Sequence, residues 1–206
     1  GDSDVLKLAT KIRKADHPEA PPTKRKHLLR LEEYDQVLCW RNATRQTLNR
    51  RTRSLLGRAD PDAPEPGDKI VCIQNTRHRQ NDVSKRWMNG EQAEVLEIHS
   101  RMPGMYEMTV RSFDDGVPRR VFTPSATFTG PTAEAEYRDS SRGEPNPAFA
   151  FGYALTVHKS QGSEWEKVLV IDEVGGMRDR DEARRWRYTA VTRAQSLLHV
   201  THRSPV

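Results

Sequence analysis

What this sequence lacks narrows what it can be. It has two cysteines, Cys39 and Cys72, too few for a disulfide scaffold, and no CxxC pair that would hold zinc. Both lie in apolar stretches and read as buried free thiols of a reducing cytosol, so a cytoplasmic location is expected. No apolar run reaches the roughly eighteen residues that a membrane-spanning helix needs. No basic-then-apolar leader opens the chain, so no secretory signal is expected. Aromatic residues make up 7% and hydrophobic residues 34% of the 206, so any core must be compact. No glycine is followed by lysine, which excludes a GxxxxGK[ST] phosphate loop and a triphosphate cradle of that kind within this chain. The GxSxG elbow is also missing, leaving a hydrolase triad on Ser160 or Ser163 without support.

Charge is present in quantity. Charged residues reach 31%, the net charge is +5, and arginine outnumbers lysine 25 to 9. From Val37 to Arg58 there are six arginines and no acid. Such a single-sign stretch favours a polyanion, or else forms a solvated helix face.

Periodicity divides the chain into two kinds of structure. Asp4 to Lys14 predicts an amphipathic helix with Val5, Leu8, Ala9 and Ile12 on one face, broken by Pro18, Pro21 and Pro22. Gln36 to Trp40 reads as a strand. A helix follows, with Asn42 as its N-cap, Leu48, Thr52, Leu55 and Leu56 at helical spacing, and Gly57 at its C-cap. Ala59 to Pro66 reads as a linker. From Gly67 to Gly130 the pattern changes to short strands (KIVCI, AEVLEIH, MYEMTVRSF and RRVFT) parted by turns at Asn89-Gly90, Pro103-Gly104 and Asp114-Asp115-Gly116. That spacing predicts a small antiparallel barrel. Polar, acidic residues 131–148 form a connection. Beyond Phe149 come strands at Tyr153–Val157 and Lys167–Asp172, a helix at Ala183–Ala194 and a last strand at Leu197–Thr201. The expected fold class is α/β: a mainly parallel sheet with helices on both faces, formed by 1–66 and 149–206 and interrupted by a β insert at 67–130.

Three stretches carry chemistry. VLVIDE (Val168–Glu173) looks like the acid-tipped strand of a nucleotide site, but without the phosphate loop Asp172 and Glu173 read as the end of a core strand. YALTVHKSQGSEW (Tyr153–Trp165) runs a strand straight into Thr156, His158, Lys159, Ser160, Gln161, Ser163 and Glu164, with Gly162 allowing a sharp turn among them. WRYTAVTRA (Trp186–Ala194) sets Arg193 on a predicted helix, where it can face a phosphate on another domain or pair with Asp181 or Glu182.

In this order the stretches resemble the second motor domain of superfamily 1 helicases, closest to the RecD-like and Dda-like group that moves 5′ to 3′. LTVHKSQGSEW resembles motif V, RYTAVTRAQ motif VI, and VLCWRNATRQTLNRRTR motif IV with its following helix. GDKIVCIQN followed by NGEQAEV is similar to the opening of that group's SH3-like insert. The likeness runs from about Asp4 to Val200, with HKSQG and TRA its most specific elements. Ala93 departs from it, standing where the family often has glycine, a change that bears on the insert's turn geometry.

The resemblance implies a RecA-like domain with an SH3-like β-barrel insert, one half of an ATP-dependent DNA helicase. ATP and Mg²⁺ would be held mainly by an N-terminal P-loop half of the same protein. It implies Arg193 as the arginine finger, and Arg41 or Arg45 as the motif IV contact to the γ-phosphate. Gln161, Gly162 and Glu164 would lie near the nucleotide, and Thr156, His158, Lys159 and Ser160 would face single-stranded DNA. Arg77, Arg79, Lys85 and Arg86 of the insert are further candidates for that strand. The expected partners are single-stranded DNA and the P-loop domain, with no membrane and a monomeric state. Two other readings stand beside this one: a non-catalytic nucleic-acid-binding module working through the β insert, and the motor part of a RecD-like exonuclease complex. Gly1 rather than methionine opens the chain, as in a processed product or a piece of a longer chain.

Overall fold

The computed structural model describes residues 2–14, 30–76, 86–130, 133–134, 136–137 and 146–202. Arg77, Arg79 and Lys85 lie outside these, as do Pro18, Pro21, Pro22 and most of the connection at 131–148. The chain divides into two compact units, Gly1–Leu55 with Tyr153–Val206, and Leu56–Gly152.

The first unit holds a four-stranded parallel sheet in the order β7-β1-β8-β9, with β1 at Gln36–Cys39, β7 at Ala154–Thr156, β8 at Trp165–Ile171 and β9 at Ala194–Thr201. Its helices are α1 (Asp2–Lys14), α2 (Asn42–Leu55) and α4 (Arg180–Val191). β1 leads through α2 to β7 on one side, whereas β8 leads through α4 to β9 on the other. Right-handed crossovers stepping in opposite directions put α2 and α4 on opposite faces. The side chains agree. Val37, Cys39, Leu169 and Ile171 cluster with Leu48 of α2, and the alternate residues Leu38, Val168 and Val170 are buried toward the other face. With both faces covered, the central strands read as continuous apolar runs. Each buried Val, Leu or Ile contributes ~1.5–3 kcal/mol relative to exposure.

α4 begins and ends three residues earlier than its periodicity predicts. Asp179 is the cause: its carboxylate accepts the N–H groups of Asp181 (2.8 Å) and Glu182 (3.0 Å) and fixes the N-terminus there. Those two bonds, Glu182's first, hold the Asp179 carboxyl below the usual carboxylate range. Arg193 therefore lies beyond the helix, in the turn that enters β9. β9 in turn starts three residues before the predicted Leu197.

The second unit is a five-stranded antiparallel sheet in the order β5-β4-β3-β2-β6. Its strands are β2 (Lys69–Cys72), β3 (Gln92–Met102), β4 (Met105–Ser112), β5 (Pro118–Pro124) and β6 (Phe149–Phe151), with a one-turn helix α3 (Ala126–Thr129). Its core joins Ile70, Val95, Met108, Val110 and Val121 to the aromatic rings of Trp87, Phe128, Phe149 and Phe151. Trp87 meets Phe149, and Phe128 meets Phe151, edge to face at 5.0 Å. Ala93 is fully enclosed within β3, so its methyl fills core rather than turn. The ends of the sheet are tied by side chains: Thr123 Oγ1 accepts the N–H of Phe149, and Thr127 Oγ1 donates to the Phe149 carbonyl. Where an SH3-like barrel was expected, the structure has a five-stranded antiparallel sheet.

Two boundaries differ from expectation. Phe149–Phe151 pairs with β2 and belongs to the antiparallel sheet, so the α/β part resumes at Tyr153. Gly152 marks the changeover. A Cβ there would stand 2.9 Å from the carbonyl carbon of Ile70, closer than side chains tolerate. The expected linker Ala59–Pro66 is folded into the second unit. Asp60 accepts the N–H groups of Asp62 and Ala63, and Glu65 accepts those of Ala59 and Asp60.

Candidate functional site

Open α/β sheets bind ligands beyond the carboxyl ends of their strands, at the point where strand order reverses. Here that point lies between β1 and β8. The strand ends there are level, because Cys39 pairs with Thr156 and Leu38 with Val170. Immediately beyond them come Trp40 and Arg41 after β1, a 3₁₀ turn at Val157–Ser160 after β7, and Asp172 and Glu173 after β8.

The two acids are engaged within the unit, and they point opposite ways. The Asp172 carboxylate is buried and accepts Arg187 Nε of α4 at 2.7 Å, with His202 Nδ1 at 3.7 Å. Glu173 turns toward α2. It accepts the N–H groups of Trp40 (3.2 Å) and Arg41 (3.3 Å) and the hydroxyl of Thr44. Asn42, expected as the N-cap, is instead the first helical residue, and the approach to the helix is held by this distant carboxylate. Glu173 also raises the Cys39 thiol pKa, after burial as the larger cause and against the charge of Arg45. Cys39 is therefore a protonated, enclosed thiol.

The 156–164 segment travels from the carboxyl edge of the sheet to the amino edge. At its start Thr156 is buried, His158 is exposed and Lys159 is half-buried. At its end Gly162 has φ +87° with open space where a Cβ would stand, so its backbone rather than a clash calls for glycine. Gln161 and Glu164 are exposed, and Glu164 Oε2 accepts Gln195 Nε2 at 3.4 Å.

Arg193 meets this second end. Its Nη1 donates to the Ser163 carbonyl (3.1 Å), its Nε to the Thr189 carbonyl (3.2 Å) and its Nη2 to Thr192 Oγ1 (3.2 Å). The backbone completes the junction, with the Trp165 N–H bonded to the Arg193 carbonyl at 2.9 Å. None of the three side-chain partners bears a charge. Asp181, one of the acids weighed as a partner, pairs with Arg184 instead. The guanidinium is half-buried, held in one place, and among the described residues no carboxylate balances its charge. That is the state in which a cation best serves an anion brought from outside.

The structure thus joins Arg193 to the Gly162–Glu164 turn, and it separates other expected members. Arg41 stands at the carboxyl edge, whereas Arg193 stands at the amino edge, where Trp165 pairs with Ala194. The length of β8, ~20 Å at 3.3 Å per residue, lies between the two edges. Arg41 and Arg193 therefore do not share one surface. Arg45 is 1% exposed, on the inward stripe of α2 with Leu48, Asn49 and Thr52, and cannot reach an external phosphate from there. Ser160 is 0% exposed and donates its hydroxyl to the Val157 carbonyl at 2.8 Å, so it closes the 3₁₀ turn and does not face a strand of DNA.

Sequence reasoning missed Glu173 as the anchor of α2, and it missed Asn49. The Asn49 carboxamide donates to the Ala154 carbonyl (3.2 Å) and accepts the Ala154 N–H (2.8 Å). Helical spacing from Leu48 and Thr52 marks Asn49, like Arg45, as inward-facing. No local signal identifies Glu173. Among the described residues, no group of three His, Cys, Asp or Glu could hold a metal ion, and no helix is long and apolar enough to cross a membrane.

Residues 151–201 match the family model of the UvrD-like helicase C-terminal domain. That stretch holds β7, the 156–164 segment, β8, α4, Arg193 and all of β9. Solved structures of similar fold include Pif1 helicase from Candida albicans, at 14% identity and a TM-score of 0.53 over 100% of this chain and 55% of that one. Bacteroides Pif1 bound to ssDNA aligns at 12% identity and a TM-score of 0.53, over 97% of this chain and 49% of that one. Pif1 helicase from Bacteroides in complex with ADP-AlF3 and ssDNA aligns at 14% identity and a TM-score of 0.50, over 96% and 45%. The chain spans about half the length of the Pif1 structures it matches. No curated protein sequence matches it. The match over 151–201 contains the HKSQG and TRA elements that carry the resemblance, and the α/β fold is similar to that of the Pif1 structures.

Proposed function

We propose that this chain is the second motor domain of an ATP-dependent DNA helicase or translocase, working with a P-loop domain of the same protein that holds most of the nucleotide. The observation that carries this reading is Arg193: a fixed guanidinium balanced by no acid among the described residues, beside a glycine turn, in a stretch that matches the UvrD-like helicase C-terminal domain model. Phosphoryl transfer spreads charge over the γ-phosphate oxygens, and an arginine placed against them raises the rate by ~10³ to 10⁵. Arginine keeps its proton throughout the physiological range, so its contribution is independent of pH there. In this reading Arg193 is the finger, and Gln161, the Gly162 backbone and Glu164 line the nucleotide's far side. In this reading Mg²⁺ is held by the P-loop half, through one or two carboxylates and the phosphates.

His158 and Lys159 serve the strand at the opposite edge, where Thr156 is buried at the end of β7. Imidazole and ammonium groups grip phosphates without reading bases, as a translocase that must pass any sequence requires. Keeping nucleotide and strand on separate edges lets closure on one move the grip on the other. In the antiparallel unit, Arg111, Arg119 and Arg120 are each paired with a carboxylate, Glu94, Asp115 and Glu107. This reading assigns the strand to the carboxyl edge of the parallel sheet.

The test is DNA-stimulated ATP turnover by the intact protein that carries this chain. Arg193→Ala should lower kcat by ~10³ or more while DNA affinity holds. The 206-residue chain alone should not turn over ATP. A normal kcat in Arg193→Ala, or a collapse of DNA binding with kcat retained, would refute the finger. Tight, steeply salt-dependent DNA binding by the isolated chain, abolished by substitutions in the antiparallel unit, would favour the non-catalytic module instead.

A further inference from the structure

We infer that Arg41, stacked on Trp40 and positioned by Glu173, is a contact to the phosphate backbone of the nucleic-acid strand and not to the nucleotide. This rests on the reading of the carboxyl edge as the strand-binding edge. Arg41 is exposed, and its guanidinium lies 5.3 Å from the centre of the half-exposed Trp40 ring. It follows β1 directly, level with the end of β7, whose next residues are Val157 and the exposed His158. Of the two motif IV arginines it is the one turned to solvent, since Arg45 is enclosed.

The stack selects the ligand's chemistry. A guanidinium lying over an indole keeps its edge donors outward, and those donors match two oxygens of a phosphate. The indole adds a surface on which any base can rest, without sequence preference. Adjacent single-stranded phosphates suit a site made of Arg41, His158 and Lys159 along one edge.

Glu173 supplies the precision. Its carboxylate takes the backbone N–H groups of both Trp40 and Arg41, and the Thr44 hydroxyl closes the same knot one turn into α2. The chain entering α2 thus has its direction set from the end of β8. Asp172, one residue earlier, serves α4 on the opposite face. The acid pair resembling a metal-binding strand end is therefore a pair of brackets, and Glu173 is a positioning residue acting through Arg41.

The test measures binding of a fluorescein-labelled oligo(dT) by anisotropy across a salt series, with ATP turnover followed in parallel, on the intact protein. Arg41→Ala should weaken binding ~10-fold and reduce the salt slope by ~1, the signature of one lost phosphate. In turnover the effect should fall on the DNA concentration for half-maximal stimulation rather than on the maximal rate. Glu173→Ala should weaken binding in the wild-type background and add nothing in the Arg41→Ala background, where a merely structural role would add its full effect. Should Glu173→Ala fold poorly, Glu173→Gln keeps an acceptor oxygen in the same place and should retain part of the affinity. Loss of maximal rate in Arg41→Ala with unchanged DNA half-saturation would overturn the inference and return Arg41 to the nucleotide. Unchanged binding in Arg41→Ala alongside weakened binding in His158→Ala would overturn it while leaving the strand-binding edge intact. Unchanged binding in all of these variants would overturn both.

Discussion

The two edges of the parallel sheet treat arginine in opposite ways. At the carboxyl edge Arg187 is buried against the Asp172 carboxylate, a closed ion pair with His202 beside it. At the amino edge, six residues later in the chain, Arg193 is held by two carbonyls and a hydroxyl. A buried pair gains little over an apolar pair of the same shape, but it fixes where α4 sits on the sheet. A guanidinium fixed by neutral oxygens gives up orientation without giving up charge. The difference separates an arginine whose charge is neutralised inside the fold from one that is fixed yet keeps its charge: the partners' charge tells them apart more than exposure does.

The comparison breaks most severely at Asp172. Asp172→Ala leaves Arg187 buried without its partner and should cost ~3–5 kcal/mol, read as loss of the cooperative transition in urea unfolding. The double change Asp172→Leu with Arg187→Met should recover most of that loss. If the single change costs nothing, the ion pair does not fix α4. Gly162→Ala sharpens the other edge. Its φ of +87° imposes ~1–2 kcal/mol on any L-residue, so the thermal midpoint should fall modestly. ATP turnover in the intact protein should fall further than that stability loss explains, because Ser163, next in the chain, carries one of Arg193's three acceptors. The smallest effect belongs to the cap of α4. Asp179's carboxyl is depressed in the folded state, so its stabilisation is complete above the unfolded value of ~3.9 and is lost as pH falls through the lower folded value. Asp179→Ala should therefore lower the melting temperature at neutral pH, and the gap from wild type should close in acid.

Much of the fold was legible because its signals are local. The runs that became β1 and β8 are continuous and apolar, and the turns at Pro103-Gly104 and Asp114-Asp115-Gly116 part strands where they were expected. The pairing of Arg193 with the polar turn ahead of Trp165 follows from motif order and is present in the structure. What escaped depends on which way a side chain turns after packing. Arg45 and Ser160 have the chemistry of phosphate ligands, and residue type outweighed position in reading them. Helical spacing puts Arg45 in the stripe of Leu48, Asn49 and Thr52, the face that the packed helix buries. Glu173 had no such signal, because its partners lie 129 to 133 residues away in sequence. The level of Arg41 relative to Arg193 could be read only from strand register.

Asn49 has a consequence beyond its own two bonds. β7 is the last strand of its sheet, and because the Tyr153 carbonyl already serves β1, the N–H and C=O of Ala154 point outward from the rim. An unsatisfied rim is where a foreign chain adds itself. A carboxamide presents one donor and one acceptor, the same pair a neighbouring peptide group would bring, so α2 stands in for a fifth strand and denies that position to any intruder.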